Sequence, residues 1–299
     1  MSVVATVIVP THDHGPTLHS SLGSVLIQTV EDIEVFVIGD GAPDVTREIV
    51  GELSRTDERV RFFDHPKGQR HGELYRHEAL AQARGEIVCY LSDDDLWLPE
   101  HIETMQEELA GGADFVGAQA VHFEPGGRPL IWPSDLAEPW FRERMFAGAA
   151  NFVPLSCAAH TLDLYRRLPE GWAPAPLSSP TDLFMWCKVL RLPGLRSHSS
   201  MRPTVLHFPS FQRRSWTPEA RAAELEPWLP RVADPDWRHD FRAEVLDLVL
   251  RQAAAAEAAT GTVMNTRTWR VRSWLLRAPA LGAAAKALAR RGAARATEP

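Results

Sequence analysis

The sequence predicts an α/β protein with a mostly parallel sheet flanked by helices. Short apolar runs rich in β-branched residues alternate with helical patterns over residues 1–120, and turn residues separate them. The chain has 299 residues, of which 44% are hydrophobic and 24% are charged, so it is long and apolar enough to bury a core. This composition excludes a disordered, collagen-like or disulfide-stapled protein.

Predicted strands and helices alternate regularly in this first part. The strands cover residues 3–9, 33–38, 60–63, 87–91 and 115–120, and the helices cover 16–28, 45–53, 73–83 and 99–109. Because the first apolar run has no basic segment before it, we expect a strand there and no signal peptide. Residues 121–215 favour loops and a few antiparallel strands, with a helix at 181–190 and a strand at 204–208.

Three parts of the chain are expected. Residues 1–215 form the α/β domain, with halves 1–120 and 121–215; residues 216–261 form a helical extension; and residues 262–299 form a basic tail. The tail has eight Lys and Arg residues against one Glu, although the net charge of the chain is −7. The acidic remainder argues against a nucleic-acid partner. Trp269 and Trp274 among the tail arginines fit either an anionic membrane surface or a basic helix folded onto the acidic body.

The cysteines and the hydropathy pattern bear on location. The chain has three cysteines without a CxxC pair, and it has no apolar run of about 18 residues. We therefore expect a cytoplasmic protein, attached peripherally to the inner face of the cell membrane if the tail binds lipid.

Polar residues follow three of the predicted strands. Residues 10–13 follow the first strand, residues 39–41 the second and residues 92–95 the fourth. Ligands of open α/β sheets bind beyond the carboxyl ends of the strands. We therefore expect these three groups to meet in one crevice.

Asp93, Asp94 and Asp95 form the most informative of these groups. Adjacent carboxylates repel each other, and a buried strand end makes the repulsion costly. Mg²⁺ or Mn²⁺ would relieve it, and Asp93 and Asp95 could share one ion because alternate residues of an extended segment point the same way. Alternatively, Asp95 caps the helix that begins near Pro99, and the other two are solvated turn residues.

Four further residues each have two interpretations. Asp40 belongs either to an ordinary Asp-Gly turn or to a base- or ribose-binding site, and His12 either contacts a nucleotide or is polar surface. Asp182 is the N3 residue of a predicted capping box at 179–182, and at a helix start facing the crevice it could also act as a general base. His207 follows a strand and could bind a metal or the acceptor.

Residues 7–13, 24–29, 34–41 and 83–95, in this order, resemble the opening and the DxD region of family 2 glycosyltransferases. The resemblance covers residues 3–110 well and 150–210 loosely. It implies a GT-A-type fold, in which residues 1–120 bind a nucleotide-sugar donor and residues 121–215 bind the acceptor. The implied reaction is an inverting transfer of a sugar to an acceptor hydroxyl.

The resemblance also implies which residues bind the donor. Pro10, Thr11 and His12 match the first nucleotide-contacting loop. Asp40 matches the aspartate that contacts the nucleobase, and Arg76 lies where the family often has a basic residue near the donor. The implied partners are therefore a nucleotide-sugar and a glycan, lipid-linked or small-molecule acceptor.

The metal and catalytic roles follow from the same resemblance. Asp93 and Asp95 match the DxD pair, with Asp95 as the preferred direct ligand of Mn²⁺ or Mg²⁺. Asp94 would then face the ribose or the diphosphate, and His207 is a further candidate metal ligand. Asp182 matches the acidic residue that deprotonates the acceptor hydroxyl.

The sequence departs from the family pattern at three places. Residues 39–42 lack one acidic residue, and residues 12–13 are His-Asp where Tyr-Asn is usual. Residues 212–216 resemble a QxxRW motif without its fourth-place Arg, which argues against a processive synthase. Two alternatives stay open: a non-catalytic nucleotide- or carbohydrate-binding protein on the same scaffold, and a sugar-phosphate nucleotidyltransferase, whose usual Gly-rich, Lys-containing loop is missing.

Overall fold

The structure, a computed structural model, describes residues 2–264, 266 and 269. The chain divides into two compact units, of which the first ends at Arg242 and the second begins at Ala243. The predicted boundaries at 215 and 261 stay predictions, and most of the predicted basic tail, including Trp274, lies outside the described residues. Within the described part of the chain, no helix is long and apolar enough to cross a membrane.

The strands of the first unit belong to one sheet. They are β1 (Ala5–Thr11), β2 (Ile33–Asp40), β3 (Val60–His65), β4 (Ile87–Tyr90), β5 (Leu96–Trp97), β6 (Phe115–Phe123), β7 (Pro129–Ile131), β8 (Ala158–Thr161) and β9 (Ser197–His207).

Helices lie between the strands and follow the last one. They are α1 (Leu18–Leu26), α2 (Asp44–Thr56), α3 (Glu73–Leu80), α4 (His101–Ala110), α5 (Pro139–Phe146), α6 (Leu162–Arg166), α7 (Thr181–Leu190), α8 (Pro218–Leu225), α9 (Trp228–Ala233) and α10 (Pro235–Met264).

The sheet has the order β3-β2-β1-β4-β8-β6-β9-β5, and β7 pairs with β6. The four strands β3, β2, β1 and β4 are parallel. The second half is mixed, since β8 runs antiparallel to β4 and β6 whereas β9 runs parallel to β6. The predicted α/β sheet is confirmed, with its parallel pairing in the first half and antiparallel strands in the second.

The core lies around the parallel half of the sheet. Val7, Ile8 and Val9 of β1 and the whole of β2 are buried, as expected for strands that helices cover on both faces. β-branched residues suit this position because their stiff side chains pack well on a pleated surface.

The register of the strands brings their carboxyl ends together. Thr11 of β1 lies opposite Gly39 of β2, and Ile8 lies opposite Tyr90 of β4. β1 continues through Pro10 to Thr11, beyond the predicted end at residue 9, because β2 continues beside it. The residues that follow β4 therefore lie next to the ends of β1 and β2.

Candidate active site

A cleft of about 450 Å³ lies at the carboxyl ends of β1, β2 and β4. The start of α7 and a 3-10 turn at Ser210–Gln212 after β9 form its other walls. Eight of the predicted site residues line this cleft: Pro10, Thr11, His12, Asp40, Arg76, Asp93, Asp94 and Asp182. The expected crevice is therefore present, and residues from both halves of the α/β domain form it.

Asp40 lies at the β2 end of the cleft with its carboxylate already bonded. Lys67 Nζ and the backbone N–H of Gly68 each donate to it at 2.6 Å. The backbone carbonyl of Asp40 accepts from His12 Nδ1 at 2.6 Å. Gly41 has φ +67°, and a Cβ there would lie 2.8 Å from the Cβ of Lys67. Because Gly41 has no side chain, Lys67 can pack against the turn, and it lines the cleft there.

The three aspartates after β4 have different surroundings. Asp93 lies 3.2 Å from His14 Nδ1, and Asp94 accepts from the Ser210 hydroxyl and from Arg221 Nη1, the latter at 3.2 Å. Both line the cleft and are nearly fully buried. Asp93 and Asp94 therefore have different side-chain partners, although both carboxylates line the same cleft.

Asp95 lies beneath the floor of the cleft. Its carboxylate accepts from His207 Nδ1 at 2.9 Å, from the backbone N–H of Phe208 at 2.8 Å and from the Ser156 hydroxyl. The side chain of Asp95 is fully buried, and neither it nor His207 lines the cleft. The predicted metal ligands Asp95 and His207 are thus bonded to each other in this structure.

These surroundings change the pKa values of Asp94 and Asp95 in opposite directions. Burial, together with the charges of Asp95 and Asp93, raises the pKa of Asp94. Burial would also raise the pKa of Asp95, but the charge and hydrogen bond of His207, together with the hydrogen bonds from Ser156 and Phe208, lower that pKa. Burial alone would lower the pKa of His14 and of His207, yet the neighbouring carboxylates raise both.

His14, Asp93 and Asp94 together offer ligand atoms for a metal ion. One atom from each of them lies within 4.8 Å of the other two. Two carboxylates and an imidazole are donors that suit Mn²⁺, whereas Mg²⁺ prefers oxygen ligands alone. The donor set that faces the cleft is therefore compatible with a divalent ion, although it is not the predicted set of Asp93, Asp95 and His207.

Asp182 projects into the cleft from the start of α7. Its Oδ2 accepts from Asn151 Nδ2 at 2.8 Å and its Oδ1 from the backbone N–H of Leu183 at 2.9 Å. The predicted capping box is wrong, because α7 begins at Thr181, and the Ser179 hydroxyl donates to the Pro180 carbonyl instead. Burial raises the pKa of Asp182, although hydrogen bonds from the backbone and Asn151 and the charge of Arg76 oppose this.

Arg76 faces Asp182 from α3. Its guanidinium lies over the ring of Trp172 at 4.8 Å and donates to the His71 carbonyl at 3.0 Å. Burial lowers the pKa of this guanidinium, and its buried Nε has no bond partner. Because Arg76 lines the cleft, its guanidinium brings a positive charge to the cleft wall.

Two hydrogen bonds fix the start of α7 against the first half of the sheet. The buried carboxylate of Glu73 accepts from the Thr181 hydroxyl at 3.0 Å, and Arg70 donates to the Ser179 carbonyl at 3.1 Å. Asp182, the residue after Thr181, is therefore held in place by the loop and helix that carry Arg76.

The sequence reasoning missed several residues of the site, which are His14, Lys67, His71, Asn151, Ser210 and Arg221. His14 could have been found, because it follows the same strand end as His12. The others lie in loops or on α8 and belong to no motif. Lys67, His71 and Ser210 line the cleft, whereas Asn151 and Arg221 reach it only through their hydrogen bonds to Asp182 and Asp94.

The comparison with known families shows to which family the chain belongs. The sequence model of "Glycosyl transferase family 2" matches residues 6–167. The chain belongs to glycosyl transferase family 2. The resemblance found in the sequence is therefore confirmed.

Curated relatives of this family 2 chain share parts of its sequence. It is 30% identical over 150 residues to the GalNAc(5)-diNAcBac-PP-undecaprenol beta-1,3-glucosyltransferase of Campylobacter jejuni, covering 48% of each chain. It is 32% identical over 99 residues to the succinoglycan biosynthesis protein ExoW of Rhizobium meliloti, covering 32% of this chain and 31% of that protein. The chain thus spans about half or less of the length of these relatives.

Solved structures with the same fold include that of S. aureus TarS 1-349. It superposes with a TM-score of 0.56 at 19% identity, over 69% of this chain and 60% of that chain. A second TarS structure is a complex with UDP-GlcNAc and has the same TM-score of 0.56. At this identity the likeness shows the fold alone, and the GT-A-type fold implied by the family resemblance is confirmed.

Proposed function

We propose that this chain is an inverting, non-processive glycosyltransferase that moves a sugar from a nucleoside-diphosphate sugar to an acceptor hydroxyl with the help of a divalent metal ion. One observation carries the proposal: a cleft at the strand ends holds the acidic pair Asp93 and Asp94 together with the isolated carboxylate of Asp182. Two such groups in one cleft are what a leaving diphosphate and an attacking hydroxyl require.

The donor binds at the ends of β1 and β2 in this proposal. Pro10, Thr11, His12 and the pair Asp40–Lys67 surround the nucleoside. Arg76, which lines the cleft, contacts the diphosphate through its guanidinium. The S. aureus TarS complexes with UDP-GlcNAc and with UDP support a donor of this class.

Mn²⁺ or Mg²⁺ is held by His14, Asp93 and Asp94 in this proposal. The ion would supply positive charge to the diphosphate as it leaves. Asp95 and His207 lie beneath these residues and hold the loop in place, and their own predicted role as ligands stays a prediction. The imidazole of His14 favours Mn²⁺ over Mg²⁺.

Asp182 acts as the general base. Its Oδ2 takes the proton from the acceptor hydroxyl while the hydroxyl oxygen forms a bond to the anomeric carbon and the bond to the diphosphate breaks. Attack from the face opposite the leaving group inverts the anomeric centre. Burial supports this role, because a carboxylate with a raised pKa is a stronger base.

The acceptor is a glycan or a lipid-linked sugar that enters along residues 121–215. The name of the C. jejuni relative, which includes a PP-undecaprenol-linked glycan, supports this acceptor class. A lipid-linked acceptor agrees with a membrane-binding role for residues 262–299, which stays a prediction.

The proposal is tested by incubating the full chain with a panel of nucleotide-sugars and Mn²⁺, with and without a PP-undecaprenol-linked glycan as acceptor, and measuring the release of nucleoside diphosphate. Water takes the sugar where no acceptor is present. We expect one donor to be consumed, and the activity to disappear with EDTA and in Asp94→Asn. Asp240→Asn is the matched control, because Asp240 is exposed and the charge change is the same.

Two results would contradict the proposal. Undiminished turnover in EDTA and in Asp94→Asn would show that the reaction does not need a metal ion. Nucleotide binding without consumption of any donor would favour the non-catalytic alternative on the same scaffold.

A further inference from the structure

Each carboxylate after β4 has a basic side chain of the same chain beside it. His14 lies 3.2 Å from Asp93, Arg221 lies 3.2 Å from Asp94, and His207 lies 2.9 Å from Asp95. The three partners come from three separate segments, which follow β1, lie on α8 and end β9. Basic side chains therefore lie beside all three carboxylates, where the sequence predicted a divalent ion.

Arg221 differs from the two histidines because its charge is permanent. Only 7% of this side chain is exposed. Its Nη1 donates to Asp94 at 3.2 Å and lies 3.3 Å from the Ser210 hydroxyl, and its Nη2 donates to the Arg213 carbonyl at 2.8 Å. Such a buried and multiply bonded guanidinium is part of the fold and not a surface side chain in a chance contact.

Further contacts hold the segment that carries Arg221, residues 210–225, against the rest of the fold. Arg213 is buried, forms a bidentate ion pair with Glu224 and donates to the Phe123 carbonyl at 3.0 Å. α8 begins with the Thr217 hydroxyl accepting from the backbone N–H of Ala220, and Pro218 occupies its first turn. These contacts hold residues 210–225 beside the cleft and so keep Arg221 on Asp94.

We propose that Arg221 is a resident counter-cation of Asp94, and that a divalent metal ion must compete with it for this carboxylate. The inference rests on the proposed metal site at His14, Asp93 and Asp94. A guanidinium and a divalent ion on one buried carboxylate repel each other strongly, because the surroundings screen charge poorly. Arg221 therefore weakens metal binding in the nucleotide-free protein, and metal binding loosens the contact of residues 210–225 with Asp94.

The first test compares Mn²⁺ affinities of the full-length protein without nucleotide, with free Mn²⁺ measured by electron paramagnetic resonance. We expect Arg221→Met to bind Mn²⁺ at least about ten-fold more tightly than the wild type, which corresponds to about 1.4 kcal/mol. Arg221→Lys, which keeps the charge, is expected to bind like the wild type. The matched control is Arg214→Met, because Arg214 is exposed in the same segment and the change in charge is equal.

The outcomes separate this inference from the proposed function. Equal Mn²⁺ affinity of Arg221→Met and Arg214→Met, with the wild type binding Mn²⁺, overturns the competition and leaves the metal site standing. Absence of Mn²⁺ binding by the wild type and by Arg221→Met overturns both. Binding by Arg221→Met alone supports both.

A second measurement on the wild type does not depend on the folding of a variant. Hydrogen exchange of residues 210–225 is followed with and without Mn²⁺. Competition predicts faster exchange of this segment when Mn²⁺ is present. Unchanged or slower exchange in the metal-bound protein contradicts it.

Discussion

The two halves of the sheet contribute to the cleft in different ways. The first half provides its residues at the ends of buried parallel strands, as with Thr11, Asp40 and Asp93. The second half provides Thr181, Asp182 and Ser210 from a helix start and a 3-10 turn, and hydrogen bonds such as that from Thr181 to Glu73 connect these segments to the first half. Strand ends bring polar groups together through the sheet itself, whereas the base of the second half depends on individual side-chain contacts.

Asp182→Asn is expected to have the largest effect. Removal of the base should lower the transfer rate by about 10²–10⁴-fold, whereas binding of the nucleoside diphosphate stays as in the wild type. The two quantities are measured by release of nucleoside diphosphate from the donor and by thermal shift. A variant that turns over like the wild type would remove Asp182 from the mechanism.

Asp95→Ala tests how much the contacts of Asp95 with residues 207 and 208 of the second half stabilise the fold. The substitution leaves His207 and the Phe208 N–H buried without their acceptor, so it should cost about 3 kcal/mol of unfolding free energy. Urea denaturation measures this quantity. Asp163→Ala is a control at an exposed carboxylate, where a change below about 1 kcal/mol is expected. A small loss for Asp95→Ala would mean that the buried pair does not hold the loop.

Asn151→Ala tests the hydrogen bond that affects the pKa of the proposed base, Asp182. The hydrogen bond from Asn151 lowers the pKa of Asp182, so its removal should raise that pKa further. Since the base acts when deprotonated, the acid limb of the pH–rate profile should move to higher pH, and the rates should converge with the wild type in alkaline solution. A shift of the acid limb to lower pH would contradict this role.

Thr181→Val tests the weaker link between the halves. It removes the hydroxyl that donates to Glu73 at 3.0 Å, and a cost of about 1 kcal/mol in stability is expected. A lower kcat with an unchanged donor KM would show that the contact positions Asp182. An equal effect on both parameters would mean that the contact is only structural.

The sequence predicted most of the first half because the physical signals there are local. Apolar runs define β1, β2 and β4, and a parallel sheet places their ends together without further information. Asp93 and Asp94 were therefore found. The bonding of Asp95 to Ser156 and His207 was missed, since these partners are distant in sequence and no local pattern encodes such contacts.

The second half shows the same limit at α7 and α8. The range of α7 was predicted correctly, but the capping box was wrong because Pro180 and not Ser179 precedes the first helical residue. Arg221 was not identified, since an arginine on a short helix has no signature until the fold places Asp94 beside it.

Thermal unfolding of the full chain with a panel of nucleoside diphosphates, in Mn²⁺ and in EDTA, tests the shared cleft most directly. One nucleotide is expected to raise the Tm with Mn²⁺, and the increase should be lost in EDTA and in Asp94→Asn but kept in Asp182→Asn. If no nucleoside diphosphate changes the Tm under either condition, the cleft is not a donor site.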